Sequence, residues 1–367
     1  MNFLLFLIDR KWINGNEEEK GRFMLNSSIL VIYTGGTIGM VKDPATQALI
    51  PFNLSQISRY IPELRRFKNN IKSISFNPAI DSSNVHPGIW ARIAKIVNEY
   101  YDQFDGFVVL HGTDTMAYSA SALSFMLRGL KKPVIFTGSQ LPIGTLRTDG
   151  KENFLAAIEI ASAKKNGMAI VPEVCIFFEF KLLRGNRTHK QNADHFQAFR
   201  SNNFPLLAEA GIEIKFFEQY IRYPKMETEL HVFTKMDVNV AILKIFPGIT
   251  PRFLDAILST PNLKGLILET YGSGNAPSSL WFTEKLDKAI KKGLIILNVT
   301  QCEIGGVNMD RYFTGNHLRN IGVVGGRDIT VEAALTKMMF LFGQDLSRDE
   351  IIHFLNVSIC GEMSVDV

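Results

Sequence analysis

The sequence lacks the features that mark several large classes of protein. Its three cysteines, Cys175, Cys302 and Cys360, are scattered and show no C-x-x-C spacing, which argues against a disulfide framework or a zinc site and indicates a reducing compartment. No stretch reaches the roughly 18 consecutive apolar residues that a transmembrane helix needs. The apolar run at the N-terminus is broken by Asp9 and Arg10, and it has neither the basic start nor the length of a secretory signal. We therefore expect a soluble, cytoplasmic protein that does not insert into a membrane.

Several motifs for ligand binding and catalysis are also missing. The net charge is only +4 over 367 residues, and basic residues form no long block, so nucleic-acid binding is not predicted. The segment TGGTIG matches neither the GxxxxGK(S/T) nor the GxGxxG phosphate-binding pattern. The seven histidines show no H-x-x-x-H or H-E-x-x-H spacing, and no G-x-S-x-G elbow occurs. We predict no metal and no organic cofactor, and we interpret His111 as a packed residue rather than a base.

What the sequence does contain is an alternation of strand-like and helix-like segments. At 46% hydrophobic and 21% charged residues, the chain has enough apolar side chains for a sizeable core, and its length favours two domains. Continuous apolar runs that alternate with helical periodicity are typical of buried parallel strands in α/β sheets. Strands are expected at 28–34, 106–112, 133–139, 168–180, 238–248, 264–272 and 294–300, and helices at 85–104, 149–165, 251–259, 279–293 and 330–343.

This pattern predicts a fold class and a division of the chain. We expect an α/β protein with a larger N-terminal domain, built on a doubly wound, mostly parallel sheet, and a smaller C-terminal α/β domain. The two series of elements are separated by a stretch of mixed charge without clear periodicity. The predicted division is an N-terminal extension at 1–27, an N-terminal domain at 28–215, a linker at 216–235 and a C-terminal domain at 236–367.

Four turns that follow predicted strands carry hydroxyl or carboxylate side chains together with Gly or Pro. They are YTGGTIG at 33–39, NPAIDSSN at 77–84, HGTDT at 111–115 and TGSQLPIG at 137–144. In open α/β sheets, ligands bind beyond the carboxyl ends of the strands. One of Thr113, Asp114 and Thr115 is expected to cap the following helix, as Asp149 is expected to cap the next one. A cap needs only one side chain, so the remaining ones in HGTDT indicate chemistry.

Two threonine-bearing turns, one of them with an aspartate, indicate a hydroxyl nucleophile other than the usual serine. A free threonine hydroxyl is a poor nucleophile, and it requires a neighbouring base, commonly a neutral lysine that a third group orients. Composition and spacing do not select that lysine among the others in the chain.

The motif-bearing segments resemble those of a known enzyme family. YTGGTIGM and GFVVLHGTDTMAYSASALSFML are similar to the two signature segments of bacterial L-asparaginases, particularly the cytoplasmic type I enzymes, and LLRGNRTHK, YGSGNAPSSL and VVGGRDITVEAALTK resemble the family as well. The resemblance implies an amidohydrolase that converts L-asparagine to L-aspartate and ammonia through an acyl-enzyme, with neither metal nor cofactor.

The resemblance also implies roles for particular residues. The family's nucleophile is the second threonine of TGGT, here Thr37, and the Thr and Asp of HGTDT are Thr113 and Asp114. The catalytic lysine of the RGNRTHK segment is Lys190. Which of the two threonines attacks first stays open at this point.

Substrate binding is implied at three further positions. The turn DSSN, with Ser82 and Ser83, corresponds to the segment that holds the α-carboxylate and α-amino groups, and Asp114 is the expected partner of the ammonium. Asn275 matches a position that the family presents across a subunit interface. The resemblance therefore implies a homodimer or homotetramer.

The chain departs from the family pattern at one catalytic position. The family usually carries a tyrosine in the flexible lid after TGGTIG, and this chain has Leu49 there. Tyr312, in RYFTGN, is the predicted replacement, whereas Tyr33 is expected to pack within its strand.

Three other functions are compatible with the same fold. A glutaminase-asparaginase differs in its substrate by a single methylene, which a small pocket discriminates by only about 1–3 kcal/mol. The amidase subunit of tRNA-dependent amidation normally has an extra N-terminal domain, for which residues 1–27 are too short. A non-catalytic amino-acid sensor is the alternative that Leu49 favours.

Overall fold

A computed structural model describes residues 27–42, 49–51, 61–67, 70–309 and 313–364 of the chain. The strands of the N-terminal part are β1 (Ser28–Tyr33), β2 (Met40–Lys42), β3 (Leu49–Pro51), β4 (Asn70–Ser75), β5 (Gly106–Leu110), β6 (Leu127–Arg128), β7 (Val134–Thr137), β8 (Lys164–Lys165), β9 (Met168–Ala169), β10 (Val174–Phe178), β11 (Lys181–Arg184), β12 (His189–Lys190), β13 (Phe199–Arg200), β14 (Ala208–Ala210), β15 (Ile214–Phe216) and β16 (His231–Val232). Those of the C-terminal part are β17 (Val240–Lys244), β18 (Gly265–Thr270), β19 (Ile295–Thr300) and β20 (Val324–Gly325).

Within these ranges the helices alternate with the strands. They are α1 (Pro87–Glu99), α2 (Met116–Met126), α3 (Gly150–Ser162), α4 (Pro251–Leu258), α5 (Leu280–Lys291), α6 (Phe313–Asn320), α7 (Val331–Phe342) and α8 (Arg348–Asn356).

The larger sheet has the strand order β15-β14-β11-β10-β7-β5-β1-β4 in the described part of the chain. The pairs from β4 to β10 are parallel, and β11, β14 and β15 add an antiparallel edge. Strand β1, next to the edge strand β4, buries both faces: Ile29 and Val31 pack in one apolar cluster with α3, while Leu30 and Ile32 pack in a second cluster with α1 and α2. Helices on both faces explain why these strands are continuous apolar runs rather than alternating ones.

The smaller sheet is formed by the four parallel strands β17-β18-β19-β20 among the described residues. It is also covered on two sides. Ile267 and Leu297 pack against α7 and α8, whereas Leu266 and Ile296 face α4 and α5. The predicted fold class, with a large, mostly parallel N-terminal domain and a smaller C-terminal α/β domain, is confirmed, whereas the residue boundaries given for the domains stay a prediction.

Two predicted elements were too long, for one local reason. Asn166 and Gly167 both have positive φ, 54° and 80°, and form the two-residue turn of a hairpin between β8 and β9, which is the conformation an Asn-Gly turn favours. Helix α3 therefore ends at Ser162 rather than at 165. The strand expected at 168–180 is likewise interrupted, and β10 begins only at Val174, after Pro172, which has no N–H to donate to a ladder.

The two domains are joined by packing, and a buried ion pair within the C-terminal domain holds the C-terminal segment. Phe125 of α2 stacks on Phe340 of α7, with ring centroids 6.0 Å apart. Lys337 of α7 is fully buried and lies 2.6 Å from Glu362, also fully buried. Glu362 further accepts the backbone N–H groups of Ile359 and Cys360, so this pair anchors the C-terminal segment 358–364. In the described residues, no helix is long and apolar enough to cross a membrane.

We predict that Lys337→Met destabilises the protein by about 3–5 kcal/mol, because the carboxylate of Glu362 would stay buried without its counter-charge. The double variant Lys337→Met/Glu362→Gln should recover part of that loss, since neither side chain is then charged. Chemical denaturation measures both. The matched control is Lys291→Met at the exposed Lys291–Asp287 pair, expected to cost roughly 0.5 kcal/mol or less. Equal losses at the two lysines would contradict the anchoring role.

Candidate active site

The turn HGTDT does not use its side chains as a helix cap. Thr115 occupies the N-cap position of α2, yet it makes no side-chain capping bond. Its hydroxyl instead donates to the carbonyl oxygen of Ser82 at 2.7 Å. The alternative that a side chain of this turn caps the helix is not realised at Thr115, whose hydroxyl donates to a neighbouring loop instead of accepting from the first turn of the helix. The bond ties HGTDT to the turn that follows β4.

The TGGT turn after β1 packs directly on HGTDT. Gly36 has φ 87°, and a Cβ placed on it would lie only 2.5 Å from the backbone nitrogen of Gly112. A Cβ on Gly112 would in turn lie 2.5 Å from the hydroxyl oxygen of Ser82. Glycine permits both the positive φ and the close approach of the two backbones. Three of the four predicted turns therefore meet at the carboxyl edge of the sheet.

Thr37 starts a short 3-10 turn, Thr37–Gly39, immediately after this contact. Its side chain is half-buried, and its hydroxyl has no hydrogen-bond partner within the described part of the chain. Thr37 thus lies on the loop that contacts Gly112, and Gly112 directly precedes Thr113.

Lys190 joins the two polar side chains at the centre of HGTDT. Its Nζ donates to the Thr113 hydroxyl at 2.9 Å and to the Asp114 carboxylate at 2.5 Å. The lysine side chain is 17% exposed and the aspartate 63% exposed, so solvent reaches the carboxylate more than the amine. The structure brings together the threonine, aspartate and lysine that the resemblance implied.

Gln140, in the fourth turn, is a neighbour of this group that the sequence analysis did not select. The Thr113 hydroxyl lies 3.4 Å from Gln140 Oε1, and Gln140 Nε2 donates to the carbonyl oxygens of Ala193 and His195. Gln140 therefore links HGTDT to the loop that follows Lys190. The feature of the sequence that could have indicated Gln140 as a site residue was its position in TGSQLPIG, a turn that follows a strand.

Asp149 holds Gln140 in place. It occupies the N-cap position of α3 but makes no side-chain capping bond. Its carboxylate accepts instead from the backbone N–H groups of Gln140 and Leu141, while the hydroxyl of Thr148 accepts from Gly150. The predicted capping by Asp149 was wrong, because its carboxylate orders the preceding turn.

His111 is packed and hydrogen-bonded, as the sequence analysis expected. The ring is 1% exposed, and its Nδ1 lies 2.7 Å from the carbonyl oxygen of Gly112. A carbonyl can only accept, so Nδ1 carries the proton and Nε2 accepts from the Ser119 hydroxyl at 2.9 Å. That hydroxyl accepts in turn from Trp90 Nε1. Burial lowers the pKa of His111 to about 4, and the neutral ring fixes the peptide that leads into Thr113.

The segment that carries Lys190 is held by the C-terminal domain. Asn186 donates to the carbonyl oxygen of Cys360 at 3.0 Å, and Arg187 pairs with Asp328 at 3.0 Å. His189 Nδ1 lies 2.5 Å from Glu332 Oε1, and the hydrogen bond to Glu332 raises the pKa of His189 although burial acts against it. Successive residues of a strand point to opposite sides. In β12, accordingly, His189 contacts the C-terminal domain and Lys190 contacts HGTDT.

The predicted substrate-binding serines differ in their availability. Ser82 is 4% exposed and its hydroxyl adjoins Gly112, within the group of converging loops. The hydroxyl of Ser83, by contrast, donates to Asp81 Oδ1 at 2.9 Å, and its backbone N–H donates to the same oxygen. These two bonds lower the pKa of Asp81 and commit Ser83 to a local turn.

Asn275, Leu49 and Tyr312 are the remaining predicted positions. Asn275 is in the C-terminal domain, where its backbone exchanges two hydrogen bonds with Tyr271, and among the described residues no polar contact of Thr113, Asp114 or Lys190 involves it. Leu49 begins β3, which pairs with β2, and the lid residues between these strands lie outside the described residues. Tyr312 also lies outside them.

No group of three or more His, Cys, Asp or Glu side chains in the described ranges has the arrangement of a metal site. The arrangement instead offers two hydroxyls, one amine and one carboxylate at the edge of a parallel sheet. Such a set is suited to nucleophilic attack on a polarised carbonyl group.

Comparisons with known proteins agree with this geometry. Residues 28–222 match the family model "Asparaginase, N-terminal", and residues 239–355 match "Glutaminase/Asparaginase C-terminal domain". L-asparaginase 1 of Escherichia coli (strain K12) is 43% identical over 344 residues, which cover 94% of this chain and 100% of the relative. The "60 kDa lysophospholipase" of Mus musculus is 38% identical over 361 residues, covering 92% of this chain and 62% of that protein. The crystal structure of L-asparaginase I from Vibrio cholerae superposes with a TM-score of 0.84 at 38% identity, covering 93% of this chain and 100% of the other.

The low pKa of His111 predicts a specific pH dependence of stability. An unfolded histidine titrates near 6.5, so between pH 6.5 and 4 the unfolded chain binds the extra proton and the folded one does not. The stabilisation is complete above pH 6.5 and is lost as the pH falls towards 4, by about 3 kcal/mol in all. His111→Gln should remove this component, as measured by urea unfolding at several pH values. The control His231→Gln, at an exposed histidine, should leave it unchanged. An unaltered slope in His111→Gln would show that the buried ring is not its source.

Proposed function

The chain belongs to the asparaginase/glutaminase family, and on that premise we propose that it hydrolyses the side-chain amide of L-asparagine to L-aspartate and ammonia. The observation that carries the proposal is the position of Lys190 Nζ, 2.9 Å from the Thr113 hydroxyl and 2.5 Å from the Asp114 carboxylate. A lysine, a threonine and an aspartate in mutual contact beside a second threonine loop form a nucleophile, a base and an orienting group.

Thr37 is the proposed nucleophile. Its Oγ attacks the amide carbon, the carbon–nitrogen bond breaks, and ammonia leaves with the proton that the hydroxyl gives up. The ester that remains on Thr37 is then hydrolysed by water, which releases L-aspartate and restores the hydroxyl. A half-buried hydroxyl that has no hydrogen-bond partner among the described residues supports this assignment, because it needs no bond to any of them to be broken before it attacks.

Thr113 and Lys190 are proposed to activate the water. The amine accepts a proton from the Thr113 hydroxyl, which in turn takes one from the attacking water. Gln140, at 3.4 Å from Thr113, limits the orientations of that hydroxyl. Asp114 holds the amine in the free protein, and the α-ammonium of the substrate competes for the same carboxylate. Substrate binding would thereby release Lys190 towards Thr113.

The remaining groups bind the substrate or stabilise charge. Ser82, with a hydroxyl at the Gly112 backbone, is proposed to hold the α-carboxylate, whereas Ser83 contributes through its ordered turn. Backbone N–H groups of the glycine-containing loops are proposed to stabilise the oxyanion, a contribution of about 2.7–4 kcal/mol per donor in other enzymes. Because Leu49 has no hydroxyl, Tyr312 is proposed to assist Thr37. The cytoplasmic location stays a prediction.

Asn275 is proposed to complete the pocket of a second subunit. Its loop follows β18 in the C-terminal domain, away from the polar contacts of Thr113 and Lys190. In a two-fold symmetric dimer each subunit would supply this residue to its partner. The proposed assembly is therefore a homodimer or a homotetramer built from such dimers.

Ammonia release from L-asparagine and L-glutamine tests the reaction and its specificity together. We expect turnover of asparagine, and a loss of about 10²–10⁴-fold or more in Thr37→Ala, Thr113→Ala and Lys190→Met. Tyr312→Phe should also lower kcat. Thr283→Ala, at a half-buried threonine of α5 outside the proposed site, is the matched control and should keep the full rate.

The same assay separates the competing functions. Comparable kcat/KM for the two amides would indicate a glutaminase-asparaginase. Tight binding of asparagine without ammonia release would indicate a sensor and overturn the proposal. A near-normal rate in any one variant would remove that residue from the mechanism.

Subunit mixing tests the role of Asn275. Lys190→Met and Asn275→Ala should each be nearly inactive alone. After subunit exchange, half of the dimers are mixed, and each of these has one site with neither substitution, so about a quarter of the wild-type rate should return. If Asn275 acted in the pocket of its own chain, every site would carry a substitution and mixing would restore nothing.

A further inference from the structure

A cavity of about 460 Å³ lies apart from the proposed active site. Its walls come from the end of α2 and β6, the start of β10, the segment 222–228 and the C-terminal segment near Cys360. None of the turns that carry Thr37, Ser82 or Thr113 lines it. The volume is within the range of about 300–1,000 Å³ that is typical of small-molecule sites.

Basic side chains predominate on the cavity wall. Arg128, Arg184, Arg222 and Lys225 line it, whereas Glu173 is the acidic side chain among the described residues that do so. The carboxylate of Glu173 already accepts three hydrogen bonds. Two come from Nε and Nη2 of Arg184 at 2.7 and 3.1 Å, and one comes from the backbone N–H of Arg222 at 2.7 Å. In the described chain, Arg128, Arg222 and Lys225 have no acidic partner.

The buried arginine is fixed and still has unused donors. Arg184 is 3% exposed, and its two bonds to Glu173 together with one to the Tyr220 carbonyl oxygen hold the guanidinium in one orientation. Within the described residues, its Nη1 makes no hydrogen bond. A guanidinium that is oriented in advance loses little side-chain entropy when it binds an oxyanion.

Two more guanidinium groups complete the set. Arg128 Nη1 donates to the carbonyl oxygen of Ile359 at 3.0 Å. Within the described residues, its Nε and Nη2 make no hydrogen bond. The side chain of Arg222 is exposed and makes no hydrogen bond within the described ranges. Guanidinium groups bind carboxylate and phosphate oxygens through pairs of parallel bonds. A ligand with a single charge would leave most of these donors without an acceptor.

We infer that this cavity binds a small oxyanion that carries at least two negative charges, a di- or tricarboxylate or a phosphate compound. The ligand would contact Arg128, Arg184 and Arg222 at once. Because Arg128 is bonded to the C-terminal segment at Ile359, the ligand would also link that segment to the N-terminal domain. The inference does not depend on the proposed hydrolysis of asparagine.

Isothermal titration of the full chain with sodium citrate and, separately, with sodium phosphate tests the site, with ionic strength held constant by NaCl. We expect saturable binding of at least one anion. Citrate alone would assign the site to carboxylates, phosphate alone to phosphate compounds, and both to their shared chemistry. Arg222→Ala should weaken binding at least about tenfold. Arg222→Lys, which keeps the charge without the paired donors, should weaken it less.

The matched control is Arg252→Ala, which removes an exposed arginine of α4 outside the cavity. It should leave the affinity unchanged. Arg222 is exposed, so Arg222→Ala should fold, which circular dichroism checks, and Lys225→Ala offers a second variant at the same wall. The absence of saturable binding for both anions would overturn the inference. Equal weakening by Arg222→Ala and Arg252→Ala would also overturn it, since that result indicates only a general effect of surface charge.

Discussion

The contact between the backbones of Gly36 and Gly112 is the constraint on which the rest of the site depends. Any side chain at Gly36 would overlap the backbone nitrogen of Gly112, so the two threonine-bearing turns approach this closely only because Gly36 lacks a Cβ. Thr37 and Thr113 directly follow these glycines. The distance between the two hydroxyl-bearing loops is therefore set by a backbone contact rather than by the reactive side chains.

The sheet brings these turns together, and contacts with the C-terminal domain hold the segment that carries the lysine. Strands β1 and β5 are parallel neighbours, so the turns after them leave the same edge of the sheet. Lys190 arrives from a different part of the fold, on a short strand whose other side chain, His189, contacts Glu332. Together with the Arg187–Asp328 pair, this contact makes the position of the amine dependent on the packing of the two domains.

Much of the fold was predictable because buried parallel strands are continuous apolar runs, and most helices followed their periodicity. The hairpin that β10 forms with β11 was not predictable in this way. Its turn places Glu179 and Phe180 at φ 46° and 64°, a conformation that these residues rarely adopt and that no local pattern indicates. Thr115 and Asp149 are residue types that favour caps, yet each side chain bonds elsewhere: Thr115 to the loop that carries Ser82, and Asp149 to the turn that precedes it in the same loop.

The sequence by itself determined which strands are buried on both sides, which turns bear hydroxyl and carboxylate groups, and, through resemblance, which lysine accompanies them. The first two properties are local, since they follow from residue type and short-range periodicity. Only the tertiary structure decided which groups touch. Lys190 and Thr113 are 77 residues apart, and His189 and Glu332 are 143 apart. Contacts over such separations depend on how sheets and domains pack, and the sequence within one element contains no record of that packing.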